Sequence, residues 1–401
     1  MKTLTLSIAA NRTRSSDVRE LLKYAQLPGM ISLAGGLPDP ALFDVAGIDA
    51  ATAEVFANEA RSALQYGQTD GQVSLREAVT GLMKQRGANV APENVLITSG
   101  SQQALDLVAR SILNEGDFVA VERPSYLAAL QIFHLLGAET VSIPVDGDGA
   151  VVDALLSLPA DKPKPKLLYL VSNFANPSGA TLTLARREKL VRWAVENEVF
   201  VLEDDPYGAL RYRGSPEVPL VALAEKVPGA LEWVGYLSSF SKIMAPGLRI
   251  GWAVLPAVLH DACVRIKQAL DLHTSTFNQA IAARYLASGR LESHLDTVCK
   301  VYGERAEALA SALTEAFGDK LRFNRPDGGM FLWGRFEDGT NARELLYIAR
   351  EKGMIFVPGD VFYPDTPDTS AIRFSFVTVD NAGLLEGVKR LKAAYDEMKQ
   401  S

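Results

Sequence analysis

The chain has 401 residues, of which 48% are apolar and 22% charged, and its formal net charge is −7 at pH 7. This length and composition predict a soluble protein with one large domain or two ordinary ones, and no apolar run is long enough to cross a bilayer. The acidic balance argues against a nucleic-acid-binding surface.

Several common kinds of site are missing from the sequence. Cys263 and Cys299 are too few for a disulfide framework and too isolated for structural zinc, and the four histidines show no HExxH spacing, so we expect no metal. There is no P-loop, GxGxxG or GxSxG motif. Polar residues interrupt the apolar start at residues 1–10, which predicts an arm of the mature protein rather than a secretory signal. A reducing cytoplasm fits these features.

The N-terminal part of the chain predicts two helices joined by extended chain. The first helix covers residues 14–26, with Ser16 as its cap, and the second lies near residues 48–61. Between them, Gly35 and Gly36 allow the backbone to approach another group closely.

From residue 94 the pattern alternates between strands and helices. The strands are predicted at residues 95–98, 118–121, 141–144, 166–171 and 199–202. The helices are predicted at residues 103–113, after residue 126 as far as residue 136, and at 186–197. Most of these strands are apolar on both faces, as in a parallel sheet covered by helices. The fold class is therefore predicted to be α/β.

The C-terminal part predicts long helices followed by a mixed tail. The helices cover residues 260–286 and 291–317, and the tail contains strands at 329–336, 355–357 and 372–377 and helices at 342–351 and 384–398. We therefore expect an arm over residues 1–45 joining a small domain, a large domain over 46–290, and a small α+β domain over 291–401.

The most informative stretch contains Lys242, which lies among small hydroxyl residues just after an apolar run. A desolvated lysine loses its proton easily, and the neutral amine can form an imine with a carbonyl compound. Ser239, Ser241 and Arg249 can hold a phosphate nearby. Imine chemistry beside a phosphate site suggests pyridoxal 5′-phosphate (PLP), although a surface lysine on a serine-rich turn is the alternative.

Other candidate residues follow predicted strands, where open α/β sheets bind their ligands. Ser101 and Gln102 begin a helix whose free N–H groups favour phosphate, although many such turns bind nothing. Tyr126 can stack on a flat ring or can simply pack. Asn176 lies in an Asn-Pro motif, and turn formation alone can account for an asparagine there. Its side-chain amide can also donate to a ligand.

An acidic triplet and an isolated arginine complete the set. Strand alternation places Asp204 on one face and its acidic neighbours on the other. Asp204 suits a pyridinium nitrogen, or it can be a capping or solvated acid, and Tyr207 adds a hydroxyl nearby. Arg373 lies within an apolar strand and needs an anion, either a protein carboxylate or a substrate carboxylate.

The order of these motifs resembles that of the class I/II PLP-dependent aminotransferases of fold type I. Within that family the chain is most similar to the 2-aminoadipate (LysN-type) and kynurenine/α-aminoadipate aminotransferases. The resemblance covers nearly the whole chain, and its strings start at residues 32, 64, 97, 176, 203, 239 and 328. It implies a large domain, built on a mainly parallel sheet of the seven-stranded type, and a smaller α+β domain. One departure is Pro206, where relatives often have alanine, but it leaves Asp204 and Tyr207 in register.

The resemblance also implies a role for each candidate. Lys242 is expected to bind the cofactor and to move the substrate Cα proton, and Asp204 to pair with the pyridine nitrogen. The remaining assignments place Tyr126 on the ring; Asn176 and Tyr207 at its 3′-oxygen; Ser101, Gln102, Ser239, Ser241 and Arg249 at the phosphate, with Tyr66 reaching the phosphate of a neighbouring subunit; Arg373, Asn176 and Gly36 at the substrate; and Arg19 at an acidic side chain. A solvated helix arginine is the alternative for Arg19.

The implied reaction is ping-pong transamination between an amino acid and a 2-oxo acid, 2-oxoglutarate being the expected acceptor, in a homodimer. A lyase, racemase or decarboxylase on the same scaffold shares the cofactor residues, so the sequence leaves it open. A ligand-sensing regulator of the MocR kind is the rival from a different class. The early position of Gly35 and Gly36 leaves no room for a preceding DNA-binding segment, and the net charge is acidic, which argues against that reading.

Overall fold

A computed structural model describes residues 4–13, 17–156 and 164–400 of the chain. The predicted cap Ser16 lies outside the described residues. The helices, numbered along the chain, are α1 (Ile8–Arg12), α2 (Asp17–Tyr24), α3 (Val45–Ala63), α4 (Val73–Gln85), α5 (Ser101–Ile112), α6 (Leu127–Leu136), α7 (Asp153–Leu156), α8 (Leu184–Asn197), α9 (Leu220–Ala224), α10 (Ala257–Leu270), α11 (Thr276–Ala287), α12 (Arg290–Phe317), α13 (Ala342–Glu351) and α14 (Asn381–Gln400).

The strands form three sheets. They are β1 (Ile31–Ser32), β2 (Val95–Thr98), β3 (Phe118–Arg123), β4 (Glu139–Asp146), β5 (Gly149–Ala150), β6 (Leu167–Val171), β7 (Phe200–Asp204), β8 (Val234–Ser239), β9 (Gly251–Val254), β10 (Leu321–Phe323), β11 (Phe331–Phe336), β12 (Met354–Ile355), β13 (Val357–Pro358) and β14 (Ala371–Ser375).

The large sheet has the strand order β2-β9-β8-β7-β6-β3-β4-β5. Strands β4, β3, β6, β7 and β8 pair in parallel, whereas β9 runs antiparallel to both of its neighbours. Seven of the strands form the sheet that was predicted, and the two-residue β5 adds an antiparallel edge. The predicted α/β class and fold type are confirmed.

Helices cover both faces of this sheet, so its central strands are buried on both sides. In β7, Phe200 and Leu202 belong to one hydrophobic cluster, and Val201 belongs to the cluster on the opposite face. Such alternation sends Asp204 to the face of Leu202 and sends the two flanking acids to the other face.

The two smaller sheets lie in the C-terminal part. One is antiparallel with the order β10-β11-β14-β13, and the other joins β1 to β12 in parallel through the pairs Ile31–Met354 and Ser32–Ile355. The N-terminal segment therefore contacts the C-terminal part of the chain. The domain limits near residues 45 and 290 stay predictions.

Some elements differ from the sequence prediction. The helix predicted over residues 260–286 is two helices, because Leu272 takes a left-handed φ of 66° and the Ser275 side chain caps α11 by accepting from the N–H of Asn278. The strand predicted over 355–357 is split between β12 and β13. Neither α4 nor β9 was predicted.

The described residues contain neither a membrane-spanning helix nor a cluster of metal-binding side chains. No helix there is long and apolar enough to cross a membrane. No group of three or more His, Cys, Asp or Glu residues in those ranges could hold a metal ion.

Candidate active site

A cavity of about 490 Å³ opens where the parallel strands of the large sheet end, between that sheet and the C-terminal part. Thirteen of the fourteen predicted site residues line it, and the exception is Tyr66. The thirteen are Arg19, Gly36, Ser101, Gln102, Tyr126, Asn176, Asp204, Tyr207, Ser239, Ser241, Lys242, Arg249 and Arg373.

Lys242 lies in the turn after β8, where its Nζ donates a hydrogen bond of 2.8 Å to the carbonyl of Gly36. Burial lowers its pKa to about 8, and the positive charges of Arg249 and Arg373 act in the same direction. No carboxylate among the described residues forms an ion pair with this amine. The amine is thus prepared to lose its proton and to act as a nucleophile.

Asp204 ends β7 with only 3% of its surface exposed. Its Oδ2 accepts a hydrogen bond of 2.8 Å from the hydroxyl of Tyr169, whereas its Oδ1 is buried with no protein partner in the described part of the chain. Burial raises its pKa to about 7, against the Tyr169 hydrogen bond. A buried carboxylate oxygen without a donor can receive a ligand N–H, as a pyridinium would provide.

The acids beside Asp204 face away from the cavity and have arginine partners. Glu203 pairs with the buried Arg187 at 2.9 Å, and Asp205 pairs with Arg86. Burial raises the pKa of Glu203. Burial also acts to raise the pKa of Asp205, but the charges of Arg86 and Arg187 and the hydrogen bond with Asn173 together outweigh it, so that pKa is lowered. The predicted alternation is confirmed, and Asp204 is the acid of the triplet that enters the cavity.

A group of donors forms a cradle at the N-terminus of α5. The Ser239 hydroxyl donates to Ser241 Oγ at 2.9 Å, and an Arg249 nitrogen donates to the carbonyl of Ser99 at 3.0 Å. Gly100, with a φ of 98°, precedes the helix, and a Cβ there would lie 2.9 Å from the Arg249 guanidinium. Hydroxyls, a guanidinium and free helix N–H groups together suit a phosphate.

Arg373 lies in β14 with 2% of its surface exposed. One nitrogen donates to Asn176 Oδ1 at 2.6 Å and another donates to the carbonyl of Ala34 at 2.7 Å. Nε has no hydrogen-bond partner within the described chain. Its guanidinium lies 4.2 Å from the Phe331 ring centre and 4.9 Å from that of Phe362. No carboxylate of the described residues pairs with it, so a buried cation faces the cavity without an anion.

Two tyrosines line the cavity between Asp204 and Arg373. Burial raises the pKa of Tyr126 to about 12 and also raises that of Tyr207, where a hydrogen bond with the Asn176 side chain works against the rise. Both hydroxyls therefore keep their protons at neutral pH and can act as donors.

The remaining predicted residues differ in position. Gly36 must lack a side chain, because a Cβ would lie 2.7 Å from the Phe331 ring. Arg19, exposed on α2, lies at the cavity wall. Tyr66 is 77% exposed and contacts His273 edge-on at a ring distance of 5.7 Å, so this chain alone does not bring it to the cavity.

Sequence reasoning missed several lining residues. Phe331 and Phe362 form an aromatic wall around Arg373. Tyr169, which does not line the cavity, was also missed, and it supports Asp204 from β6. The cavity also includes Val18, Leu127, Ala128, Gln131 and Val171. Tyr169 carried a usable signal, because a tyrosine in a fully buried strand needs a partner for its hydroxyl. Phe362 carried none, since it reaches the site through the backbone hydrogen bond from Ser125 to its carbonyl.

Comparison with known proteins identifies the family. The sequence model of the protein family "Aminotransferase class I and II" matches residues 30–391 of this chain. An aromatic-amino-acid aminotransferase of Thermococcus litoralis is 39% identical over 96% of this chain and 93% of its own length. A 2-aminoadipate transaminase of Thermus thermophilus is also 39% identical, over 98% of both chains.

Solved structures agree in fold over nearly the whole chain. The kynurenine aminotransferase of Pyrococcus horikoshii superposes with a TM-score of 0.92 and 40% identity, covering 98% of this chain and 97% of that one. LysN, the α-aminoadipate aminotransferase of Thermus thermophilus, was solved with N-(5′-phosphopyridoxyl)-L-leucine; it gives a TM-score of 0.90 and 36% identity over 98% of both chains. The chain therefore belongs to the class I and II aminotransferase family.

Proposed function

We propose that this protein moves the amino group of an α-amino acid to a 2-oxo acid, with 2-oxoglutarate as acceptor, by a ping-pong mechanism in the cytoplasm. The donors proposed are acidic amino acids such as 2-aminoadipate and glutamate, or aromatic and branched aliphatic ones. Support for this range comes from the relatives, which include a 2-aminoadipate transaminase and an aromatic-amino-acid aminotransferase.

The cofactor is pyridoxal 5′-phosphate. When bound, it supplies an aldehyde that takes up the amino group and a protonated ring that stabilises negative charge at the substrate Cα. The residues present fit it, because Asp204 Oδ1 is a buried acceptor with no donor in the described ranges and the cradle around Arg249 suits an anion.

Protein side chains would then divide the work of binding and proton transfer. Lys242 would hold the cofactor, then take the proton from the substrate Cα and deliver it to the cofactor C4′ atom. Arg373 and Asn176 would bind the α-carboxylate and so fix the direction of the Cα–H bond. The 2-oxo product leaves before the acceptor enters, so one cavity serves both halves of the reaction.

One observation carries this proposal above all others. The buried Arg373 guanidinium has no anionic partner in the part of the chain that the structure describes, yet it lies in the same cavity as the partly desolvated Lys242 amine. Burying an unpaired cation is unfavourable unless a ligand compensates it, and an α-carboxylate matches the guanidinium fork. A panel of amino acids assayed with 2-oxoglutarate, following the oxo-acid product and the cofactor spectrum together, tests the proposal.

Assembly as a homodimer is part of the proposal. Tyr66 is exposed in the single chain, and the proposed role places its hydroxyl at the cofactor phosphate of the second subunit. Its position away from its own cavity supports such an exchange.

Replacement of Arg19 by alanine is expected to raise KM about tenfold for glutamate and 2-aminoadipate, and to change KM for leucine little. The reason is that a guanidinium at the exposed cavity wall attracts a side-chain carboxylate and offers nothing to an aliphatic group. Steady-state kinetics with the three donors measures this. Lys23→Ala is the matched control, because Lys23 lies on the same helix, pairs with Glu20 and does not line the cavity. An equal effect of Arg19→Ala on all three donors would make Arg19 structural only.

Attachment of PLP to the cofactor-free protein is expected to accelerate about tenfold per pH unit below pH 8 and to level off above it. The lowered pKa of Lys242, about 8 instead of 10.5, leaves roughly a tenth of the amine neutral at pH 7. Stopped-flow absorbance at several pH values measures the rate, with Nα-acetyl-lysine as the reference amine. A rate that kept rising to pH 10, as for the reference, would contradict a lowered pKa.

A further inference from the structure

We propose that Tyr169 is a positioning residue, whose hydroxyl holds the Asp204 carboxylate so that its other oxygen, Oδ1, faces the cofactor ring nitrogen. This inference rests on the proposed role of Asp204. It adds a residue outside the cavity lining to the set that controls the reaction.

Strand register brings the two side chains together. Tyr169 on β6 pairs with Leu202 on β7, and Val171 pairs with Asp204, so Tyr169 and Asp204 are diagonal neighbours on one face of the sheet. Tyr169 is fully buried and Asp204 is 3% exposed. At 2.8 Å, the contact between the phenol and Oδ2 is a well-formed charge-assisted hydrogen bond.

The contact leaves each carboxylate oxygen with a separate task. Oδ2 is occupied by Tyr169, whereas Oδ1 is buried and has no donor among the described residues. The Tyr169 ring packs edge-on against Phe133 with ring centres 5.8 Å apart, which limits the movement of the hydroxyl. A fixed donor on one oxygen fixes the direction of the other, and Asp204 cannot turn away without losing this bond.

Removing the hydroxyl should also change where the proton between Asp204 and the ring resides. Burial and the charges of Asp205 and Glu203 raise the pKa of Asp204, and the Tyr169 hydrogen bond opposes that rise. Without this bond Asp204 competes better for the proton, so the ring nitrogen is protonated less and stabilises the Cα charge less. Turnover should therefore fall more than substrate binding.

A second tyrosine provides a matched control. Tyr236 is also fully buried and donates its hydroxyl to a buried aspartate, Asp205, at 3.2 Å. Asp205 faces Arg86 on the other side of the sheet and does not line the cavity. Tyr236→Phe therefore removes the same kind of hydrogen bond one residue away, together with the one that the Tyr236 hydroxyl accepts from Arg86, without changing the contacts of Asp204.

The test compares the protein with Tyr169→Phe, Asp204→Asn, the double variant and Tyr236→Phe. For each, kcat and KM of the holoenzyme are measured, together with the Kd for PLP of the cofactor-free protein and its thermal unfolding. We expect Tyr169→Phe to lower kcat roughly tenfold or more and to raise the Kd for PLP, with KM changed less than about threefold. In the Asp204→Asn background the same change should leave the Kd nearly unaltered, because the bond acts through Asp204.

Every other outcome contradicts either the proposed role of Asp204 or the inference about Tyr169. Unchanged turnover and Kd in Asp204→Asn would refute the proposed role of Asp204 itself. If Asp204→Asn is impaired but Tyr169→Phe is not, or if Tyr169→Phe raises the Kd equally in both backgrounds, the inference about Tyr169 fails. Loss of folded protein in Tyr169→Phe, with Tyr236→Phe folded, would make Tyr169 structural and would also overturn it.

Discussion

Lys242→Ala is expected to abolish steady-state transamination, with a loss of at least about 10³-fold, and to remove the visible absorbance of the lysine-bound cofactor. Proton transfer by a positioned base alone contributes about 10²–10⁴-fold, and this variant also loses the covalent link. Burial lowers the pKa of the Lys242 amine to about 8. Among the described residues that line the cavity there is no other lysine, so none of them can replace this amine. Enzyme assays and absorbance spectra recorded with excess PLP measure both effects.

Lys267→Met provides the matched control for a buried lysine. Lys267 is fully buried and its pKa is also lowered by burial, but its amine is held by Asp271 at 2.8 Å and lies outside the cavity. This variant should keep the visible absorbance band. Normal turnover by Lys242→Ala, or loss of the band in both variants, would refute the assignment of Lys242.

Much of the site follows from short-range rules. Period-2 alternation along β7 places Asp204 on the cavity face, and a lysine after the end of β8 lies near it because parallel strands end at the same edge. These two rules need only local sequence and the assumption of a parallel sheet. Asp204, Tyr126 and Lys242 line one cavity, as these rules lead us to expect, and their roles there stay predictions.

Other parts depend on pairings that a single sequence does not reveal. Tyr169 supports Asp204 only because β6 and β7 pair in one particular register, and a shift of one residue would turn it to the opposite face. Phe362 reaches the cavity from a short 3-10 turn (Gly359–Phe362) in the C-terminal part. The break between α10 and α11 rests on one left-handed residue, Leu272, whose type normally continues a helix.

Replacement of Arg373 by alanine is expected to lower kcat/KM at least about 30-fold for every amino-acid donor, whether its side chain is acidic, aromatic or aliphatic. Truncating one partner of a buried charge pair costs about 2–5 kcal/mol, which corresponds to a factor of roughly 30 to several thousand. The α-carboxylate is common to all donors, so the loss should be uniform, in contrast to the donor-dependent effect expected at Arg19. Rates of the first half-reaction, followed by the cofactor absorbance, measure it.

The stability of the same variant separates binding from folding. Because Arg373 is a buried cation without an acidic partner in the described structure, and burial lowers its pKa to about 10, its removal relieves an unfavourable charge while losing the hydrogen bonds to Asn176 and Ala34. We expect these effects to offset one another, with the free energy of unfolding of the cofactor-free protein changed by less than about 1 kcal/mol.

Arg335→Ala is the control, since Arg335 lies on the adjacent strand β11, is exposed and does not line the cavity. A primary amine without a carboxylate should react equally with both variants, and a large loss with that amine in Arg373→Ala would mean that Arg373 maintains the site rather than binding the substrate.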